Sequence, residues 1–189
     1  ADEIILKNID RITNEVKEST AIIQGLQDLA TMDKPKKARK DIAVVIEDSL
    51  KTTNIPEEVK VVMDIQKDEF FVDADVKQMS IMYKNLINNA VHAMDNGGNI
   101  WIRAERTENN GIEVSIRDSG HGIKDEDLKN IFTPFFGTKI TGFGFGLSIC
   151  KMIMEKHEGK IDVKSEVGKG TTFVVQFPSN GLYTIGEVT

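Results

Sequence analysis

Three short stretches of the sequence carry residue types and spacings that suit a phosphorylated ligand. The first is YKNLINNAVHAM, in which Asn85 and Asn89 are four residues apart and His92 follows three residues later. On a helix these positions share one face. An amide carbonyl is a hard, neutral oxygen ligand that suits Mg²⁺ bridged by phosphate oxygens. A polar stripe facing solvent is the alternative, although Asn is a poor helix former and this run contains three of them.

The second stretch is RDSGHGI, which places Asp118 at the end of a predicted strand with Gly120 and Gly122 just after it. A carboxylate in this place can accept a hydrogen bond from an exocyclic amine such as that of adenine. The glycines would allow a flat ring to lie against the backbone. Because Asp-Ser-Gly is also an ordinary turn sequence, this stretch alone leaves a base-binding site and a simple turn as equal alternatives.

The third stretch is GFGFGL, where Gly142, Gly144 and Gly146 alternate with phenylalanine before a helical run. Glycine weakens both strands and helices, so this spacing indicates a backbone that closely approaches something else. Backbone N–H groups at the start of a helix form an anion site, most naturally for phosphate. A surface loop without a ligand explains the same glycines equally well.

Length and composition limit the class of function. The chain has 189 residues, of which 40% are hydrophobic and 29% charged, enough for one ordinary domain and a small appendage. The net charge of −6 argues against a dedicated nucleic-acid binder, which usually has a clustered basic face. The single cysteine, Cys150, allows no internal disulfide and indicates a reducing compartment. No apolar run approaches the roughly 20 residues that a transmembrane helix needs.

The N-terminal part has a heptad pattern. Such a seam predicts a long helix that packs against another helix in a bundle or dimer. The alternative is an amphipathic helix that lies on its own domain. The polar, proline-bearing stretch MDKPKKARK follows and is the best candidate boundary. The seam consists of Ile5, Ile9, Ile12, Val16, Ser19, Ile23, Leu26 and Ala30.

Beyond the boundary, strands are predicted mainly as hairpins with helices inserted between them. This pattern predicts a mixed, largely antiparallel sheet with helices on one face. The predicted helices cover 41–52, 74–95, 125–131 and 145–157, the strands cover 58–65, 70–72, 99–107, 112–117, 160–166 and 171–177, and a loop covers 133–142.

Five motifs follow one another in an order that is far more specific than any one of them: Asn-x-x-x-Asn-Ala, Asp-x-Gly-x-Gly, Phe-x-Pro-Phe, Gly-x-Gly-x-Gly-Leu and Gly-x-Gly-Thr. This order resembles the catalytic ATP-binding domain of sensor histidine kinases of two-component systems, in the superfamily shared with gyrase, Hsp90 and MutL. The resemblance covers roughly residues 41–178. It implies a two-layer α/β sandwich of the Bergerat type, in which helices back a mixed sheet and ATP lies between helices and a lid.

The resemblance also implies a domain organisation and partners. Residues 1–33 resemble the second helix of the dimerisation and phosphotransfer hairpin, 34–40 a linker, 41–178 the catalytic domain and 179–189 a C-terminal tail. We therefore expect ATP or ADP as ligand, a homodimer through the N-terminal helix and a response regulator receiver domain as partner. The expected location is cytoplasmic, which includes the cytoplasmic part of a membrane-anchored sensor.

Matched position by position, the resemblance implies a role for each motif residue. Asn89 matches the Mg²⁺ ligand, with Asn85 beside it, and His92 takes the place of a Lys or Arg near the phosphates. Asp118 matches the aspartate that binds the adenine amine. The remaining nucleotide-binding positions are Gly120, Gly122 and Ile123 near the base, Phe132 before the lid, Gly142, Gly144, Gly146 and Leu147 at its end, and Thr171 and Thr172 in the last motif.

Two positions bear on the reaction. PFFGTK is similar to the short-lid motif of nitrogen-regulation-type kinases, which makes Lys139 a candidate γ-phosphate contact, with a solvated lid lysine as the alternative. In the gyrase, Hsp90 and MutL branch, a Glu four residues before the Mg²⁺ ligand is the general base that activates water. Here that position is Asn85, whose amide cannot take a proton. Phosphoryl transfer is thus favoured over hydrolysis.

The acceptor motif of the family, His-Glu-(x)-x-Asn-Pro-Leu, is absent from the sequence, and His157 lies in a different turn motif. The chain also begins without Met. We therefore expect the acceptor histidine to lie upstream of Ala1, in a longer parent chain. The competing hypotheses are a Ser/Thr kinase of the anti-sigma-factor type, which usually lacks Phe-x-Pro-Phe, and an ATPase clamp, which Asn85 disfavours.

Overall fold

A computed structural model of the chain describes residues 5–9, 11–13, 15–16, 19–20, 23, 27, 32–67, 69–134, 136 and 144–179. From residue 42 onwards the predicted order of helices and strands is confirmed, with shifts at their ends, and a strand at 38–41 was not predicted. After the N-terminal helical residues come β1 (Ala38–Asp41), α1 (Ile42–Lys51), β2 (Val59–Asp64), β3 (Phe71–Ala74), α2 (Val76–His92), β4 (Gly98–Arg106), β5 (Ile112–Asp118), α3 (Asp125–Leu128), α4 (Gly146–Lys156), β6 (Lys160–Glu166) and β7 (Gly170–Phe177).

The main sheet has five strands in the order β2-β4-β5-β7-β6. Only β2 and β4 pair in parallel, while the other neighbours are antiparallel. The mixed, largely antiparallel sheet of the predicted α/β sandwich is thus confirmed. Two antiparallel hairpins, β4-β5 and β6-β7, supply four of the five strands, which matches the turn-rich sequences between them.

Side chains alternate between the two faces of each strand, which makes one face of the sheet apolar. The helices cover this apolar face. On β4, Ile100 and Ile102 are buried whereas Trp101 and Arg103 are exposed. Helix α2 presents a stripe at helical spacing to the buried face, and the residues of this stripe are Met79, Met82, Tyr83, Leu86, Ile87 and Ala90. Burying a side chain of this size stabilises the fold by about 1.5–3 kcal/mol relative to leaving it exposed.

Strand β1 falls within the stretch predicted as a linker. It pairs antiparallel with β3, with Ala38 opposite Ala74, so residues 38–41 belong to a second, two-stranded sheet. The guanidinium of Arg39 lies 4.7 Å from the ring centre of Phe71. Lys and Arg are depleted from buried strands but common on edge strands, where their charge blocks further pairing. The basic composition therefore hid this strand in the sequence.

The segment before β1 is attached to the start of α2. The backbone N–H of Lys36 donates to Oδ2 of Asp75 at 2.8 Å, and Nε2 of Gln78 donates to the Asp33 carbonyl at 3.0 Å. Asp75 also caps α2, because its Oδ1 accepts from the N–H groups of Lys77 and Gln78. Burial alone would raise the pKa of this carboxyl, but its backbone hydrogen bonds outweigh that effect and lower it.

A buried histidine joins this attachment to the end of α4. Nε2 of His157 accepts the Asp75 N–H at 3.1 Å, and its Nδ1 donates to the Ile153 carbonyl at 2.8 Å. The nearby charges are those of Asp75, Lys37 and Glu158, the last two forming an ion pair of 2.6 Å. Burial lowers the pKa of His157, and the opposing effects of its hydrogen bond and the acidic neighbours do not reverse this. The folded state thus favours the neutral imidazole.

The described N-terminal residues are helical, but their apolar side chains lie open to solvent. Ile9 is the least exposed of the seam isoleucines at 52%, and Ile12 the most exposed at 63%. This chain alone therefore does not cover the seam, which argues against a helix lying on its own domain. Leu26 and Ala30 lie outside the described residues. Among the residues that the structure describes, every helix is too short or too polar to span a bilayer.

The environment of His157 predicts a pH dependence of stability. Because its pKa is lowered on folding, the unfolded chain binds the proton more readily, and the free energy of unfolding should fall as pH drops below about 6.5 towards the lowered pKa. The fall should be smaller in His157→Gln, measured by urea unfolding at several pH values. His92→Gln, at an exposed position, serves as the control and should keep the wild-type slope. Equal slopes in the His157→Gln variant and the wild type would contradict this account.

Candidate functional site

Helix α2 places two of its three asparagines at the edge of the core. Asn85 and Asn89 are half-buried, while Asn88 is exposed, so the solvent-facing stripe that was the alternative fits Asn88 only. Nδ2 of Asn85 donates to the Ile81 carbonyl one turn earlier, at 3.0 Å. Nδ2 of Asn89 is buried and has no hydrogen-bond partner among the described residues. Such an unsatisfied group costs about 1–3 kcal/mol, which a ligand could offset.

Asp118 ends β5 and is only 2% exposed. Its Oδ1 accepts two backbone hydrogen bonds, from Gly120 at 2.8 Å and from Thr171 at 3.2 Å. Burial raises the pKa of this carboxyl, although the two hydrogen bonds and the nearby His121 and Arg117 act in the opposite direction. Both bonds reach the same oxygen, and no described residue donates to Oδ2. The second oxygen is thus available to a donor that enters from outside.

The glycines after Asp118 are explained first by contacts within the protein. A Cβ atom on Gly120 would lie 2.5 Å from the carbonyl oxygen of Ala93, at the end of α2. A Cβ on Gly122, which has a φ of +74°, would lie 2.2 Å from the carbonyl oxygen of Glu166. Protein atoms therefore fill the side of the backbone where side chains would be. A ring over the opposite side of this loop stays a prediction.

The N-terminus of α4 meets Asn85. A Cβ on Gly146, the first residue of α4, would lie 2.9 Å from Oδ1 of Asn85, and Gly144 just before it has a φ of +69°. Among the described residues no side chain caps this helix end, and the N–H groups of a helix's first turn suit an anion. Part of the close approach predicted from GFGFGL is thus an approach to the Asn85 amide. Gly142 and Lys139 lie outside the described residues.

The last motif is divided between the two faces of the sheet. Thr171 is buried next to Asp118, whereas Thr172 pairs in register with Arg117 and Lys164 on the face away from the helices. Successive residues of a strand point to opposite faces. The structure therefore joins Thr171 to the other predicted site residues and separates Thr172 from them.

The other predicted nucleotide contacts are half-buried or exposed. Ile123, Phe132 and Leu147 are half-buried and pack against the hydrophobic core. His92 is exposed in the last turn of α2. Ser165, which none of the motifs includes, is a half-buried residue of β6 whose hydroxyl contacts Ile123 and Thr171. Its position opposite Thr171 in the β6-β7 hairpin was the only available signal.

The residues present fit an Mg²⁺-bound nucleoside triphosphate. The side-chain carbonyl oxygen of Asn89 is of the type that binds a hard cation, while its buried Nδ2, which lacks a partner among the described residues, is a donor that suits a phosphate oxygen. The described residues contain no cluster of three acidic, histidine or cysteine ligands for a metal held by protein alone. A cation shared with phosphate oxygens needs few protein ligands. The open N-terminus of α4 suits the phosphates, and Asp118 suits an amine of the base.

Comparison with known proteins places these residues in a family. Residues 74–181 match the family described as histidine kinase-, DNA gyrase B-, and HSP90-like ATPase. Sporulation kinase E of Bacillus subtilis (strain 168) is 30% identical over 170 residues, which cover 88% of this chain and 23% of that protein. Sensor histidine kinase ZraS of Klebsiella oxytoca is 40% identical over 110 residues, or 58% of this chain and 24% of that protein. The chain thus spans about a quarter of the length of these curated relatives.

Solved structures agree on the fold. The catalytic domain of histidine kinase ThkA is 27% identical, with a TM-score of 0.66, over 76% of this chain and 96% of that one. The same kinase in complex with the response regulator protein TrrA is 26% identical, with a TM-score of 0.72, over 95% of this chain and 53% of that one.

The contact between β7 and Asp118 generates a prediction for two glycines of the last hairpin. Gly168 and Gly170 both have positive φ values, of +80° and +99°, but a Cβ on Gly170 would lie 2.0 Å from the Asp118 carbonyl oxygen and one on Gly168 would meet nothing within 4 Å. Gly168→Ala should cost about 1–2 kcal/mol from backbone strain alone. Gly170→Ala should cost about 1–3 kcal/mol more, because Asp118 must move. Urea unfolding measures both, and equal losses would contradict the assigned contact.

Proposed function

We propose, since the chain belongs to the family of histidine kinase-, DNA gyrase B- and HSP90-like ATPases, that it binds Mg-ATP and transfers the γ-phosphoryl group to a histidine of another protein segment. The relatives that match it are named as sporulation kinases and sensor histidine kinases. This proposal goes beyond the family itself, which also includes enzymes that hydrolyse ATP.

The observation that carries the proposal is the amide of Asn85. Its Nδ2 is bonded to the Ile81 carbonyl, and its Oδ1 lies beside Gly146 at the start of α4. A hydrolase of the family would need a carboxylate at this position as the base that deprotonates water. An amide cannot accept that proton. Phosphoryl transfer instead relies on positioning the phosphates and on neutralising their charge, which the N-terminus of α4 and an ion held by Asn89 would supply.

Each group has a role in this proposal. Oδ2 of Asp118 would accept a hydrogen bond from the adenine amine, and the uncapped N-terminus of α4 would bind phosphate oxygens. The side-chain carbonyl oxygen of Asn89 would hold Mg²⁺, which when bound screens the negative charge of the phosphates. Lys139 is proposed to contact the γ-phosphate.

The partners follow from the same reasoning. ThkA, whose structure matches 95% of this chain and 53% of its own, has been solved with a response regulator. We therefore propose that a receiver domain takes the phosphoryl group from the histidine. The exposed N-terminal seam is proposed to pair with a second copy of this chain, because burying a heptad seam of this kind drives helix association.

The direct test is transfer of label from radioactive ATP, with Mg²⁺, to a fragment that carries an acceptor-histidine helix. We expect acid-labile, base-stable label on the fragment, as a phosphohistidine gives. Asn89→Ala should abolish the transfer, whereas Asn88→Ala, one position away but exposed, should leave it unchanged. Release of free phosphate without labelled protein, or label on Ser or Thr, would contradict the proposal.

Asp118→Asn should weaken ATP binding but stabilise the nucleotide-free protein. The variant places an N–H donor where the adenine amine would need an acceptor, so ATP binding should weaken by about 1.5–3 kcal/mol in calorimetry. The nucleotide-free protein should become more stable at neutral pH. This follows because a raised carboxyl pKa stabilises the folded state at low pH, and that contribution is lost as pH rises through the raised value.

The matched control for this variant is Asp73→Asn, at an exposed position of β3. It should change neither ATP affinity nor stability appreciably. Unchanged ATP affinity in Asp118→Asn would overturn the assignment of the base site. A loss of stability of the nucleotide-free Asp118→Asn variant would show that the buried charge of Asp118 does not destabilise the fold.

A further inference from the structure

The turn between β6 and β7 packs against the loop that follows Asp118. The N–H of Gly168 donates to the His121 carbonyl at 2.8 Å. The Glu166 carbonyl lies where a Cβ of Gly122 would be. Ser165 lies at the start of this contact, half-buried on the helix-covered face of β6 and opposite Thr171 in register. The hairpin is thus the support on which the base end of the site is built.

The hydroxyl of Ser165 has three polar neighbours. It lies 2.8 Å from the N–H of Ile123, 3.0 Å from the carbonyl oxygen of Gly170 and 3.0 Å from Oγ1 of Thr171. A serine hydroxyl has one proton to donate and two lone pairs to accept with. A carbonyl can only accept, so the Ser165 proton goes to Gly170. The N–H of Ile123 then takes one lone pair of Ser165.

This count decides the direction of the remaining bond. If the Ser165 proton goes to the Gly170 carbonyl, the hydroxyl of Thr171 must donate its own proton to Ser165. The opposite direction would leave two oxygens, those of Ser165 and Gly170, facing each other at 3.0 Å without a proton between them. The Thr171 hydroxyl is therefore left with lone pairs only for any ligand.

Thr171 and Asp118 are adjacent, because the Thr171 N–H donates to Oδ1 of Asp118 at 3.2 Å. At this end of the site the Oδ2 carboxylate oxygen of Asp118 and the buried hydroxyl oxygen of Thr171 are both acceptors, and neither side chain supplies a donor. An acceptor-only surface of this kind favours a group that donates protons and rejects one that only accepts.

We propose that Ser165 determines base specificity by holding the Thr171 hydroxyl as an acceptor, so that the site prefers a purine with an amino group at C6 to one with a carbonyl. Ser165 acts through Thr171 and is a positioning residue. The proposal rests on the proposed nucleotide binding and adds to it the reason why adenine is chosen over guanine.

The test compares the dissociation constants of ADP and GDP, with Mg²⁺, by calorimetry. In Ser165→Ala the Thr171 hydroxyl becomes free to rotate and donate, so the preference for ADP over GDP should fall about tenfold. A role in folding alone would weaken both nucleotides alike and leave their ratio unchanged. The binding stoichiometry reports the folded fraction separately from the affinity of the folded protein.

Four further variants complete the design. Ser165→Thr keeps the hydroxyl and should restore the wild-type ratio, while Ser115→Ala, a half-buried serine of β5, should not change it. In a Thr171→Val background, Ser165→Ala should have no further effect on the ratio. Should Ser165→Ala not fold, Ser165→Cys is the near-isosteric substitute, because a thiol is a weak acceptor and should lower the ratio in the same direction.

The outcomes separate this proposal from the proposed function. If the wild type binds ADP and the variants keep its ADP-to-GDP ratio, the role of Ser165 is wrong while nucleotide binding stands. If the wild type binds neither nucleotide, the proposed function is wrong, and the specificity role falls with it. A ratio that drops in Ser165→Ala and returns in Ser165→Thr supports both.

Discussion

The site depends on keeping the carboxylate of Asp118 buried. A charge at 2% exposure is costly in the folded state unless backbone donors are aimed at it. The two donors come from different parts of the chain, Gly120 in the loop after β5 and Thr171 at the start of β7. Strand pairing brings them together, so the sheet register is part of the site. A hydrogen bond from a ligand to Oδ2 would offset part of the free-energy cost of this burial.

The same constraint explains three of the motif glycines. Gly120, Gly122 and Gly170 each face a carbonyl oxygen, of Ala93, Glu166 and Asp118 respectively, at distances that no Cβ tolerates. They allow three segments to close around one carboxylate. In this part of the site, the glycines make room for the protein itself, and only the glycines before α4 remain candidates for contact with phosphate. Fold and binding thus share the same residues.

Much of this architecture is predictable from local patterns, and the failures have physical causes. The helical stripe of α2 and the period-two alternation of β4 and β5 are strong signals, and they correctly predict these three elements. Strand β1 was not predicted because its basic residues suit an edge strand and a linker alike. Thr172 was grouped with Thr171 because a motif ignores strand alternation. The hydrogen bonds of Ser165 join segments far apart in the chain as well as its hairpin partner, and no spacing along the sequence reveals them.

The attachment of residues 33–37 has a mechanical consequence. Its contacts end on Asp75 and Gln78 at the beginning of α2, and on Glu158 just beyond the end of α4. The opposite ends of the same helices carry Asn89 and Gly146. A displacement of residues 33–37 would therefore act on one end of each helix, while the candidate site residues lie towards the other ends. Residues 33–37 are thus fixed to the domain by hydrogen bonds and an ion pair, which a flexible linker would lack.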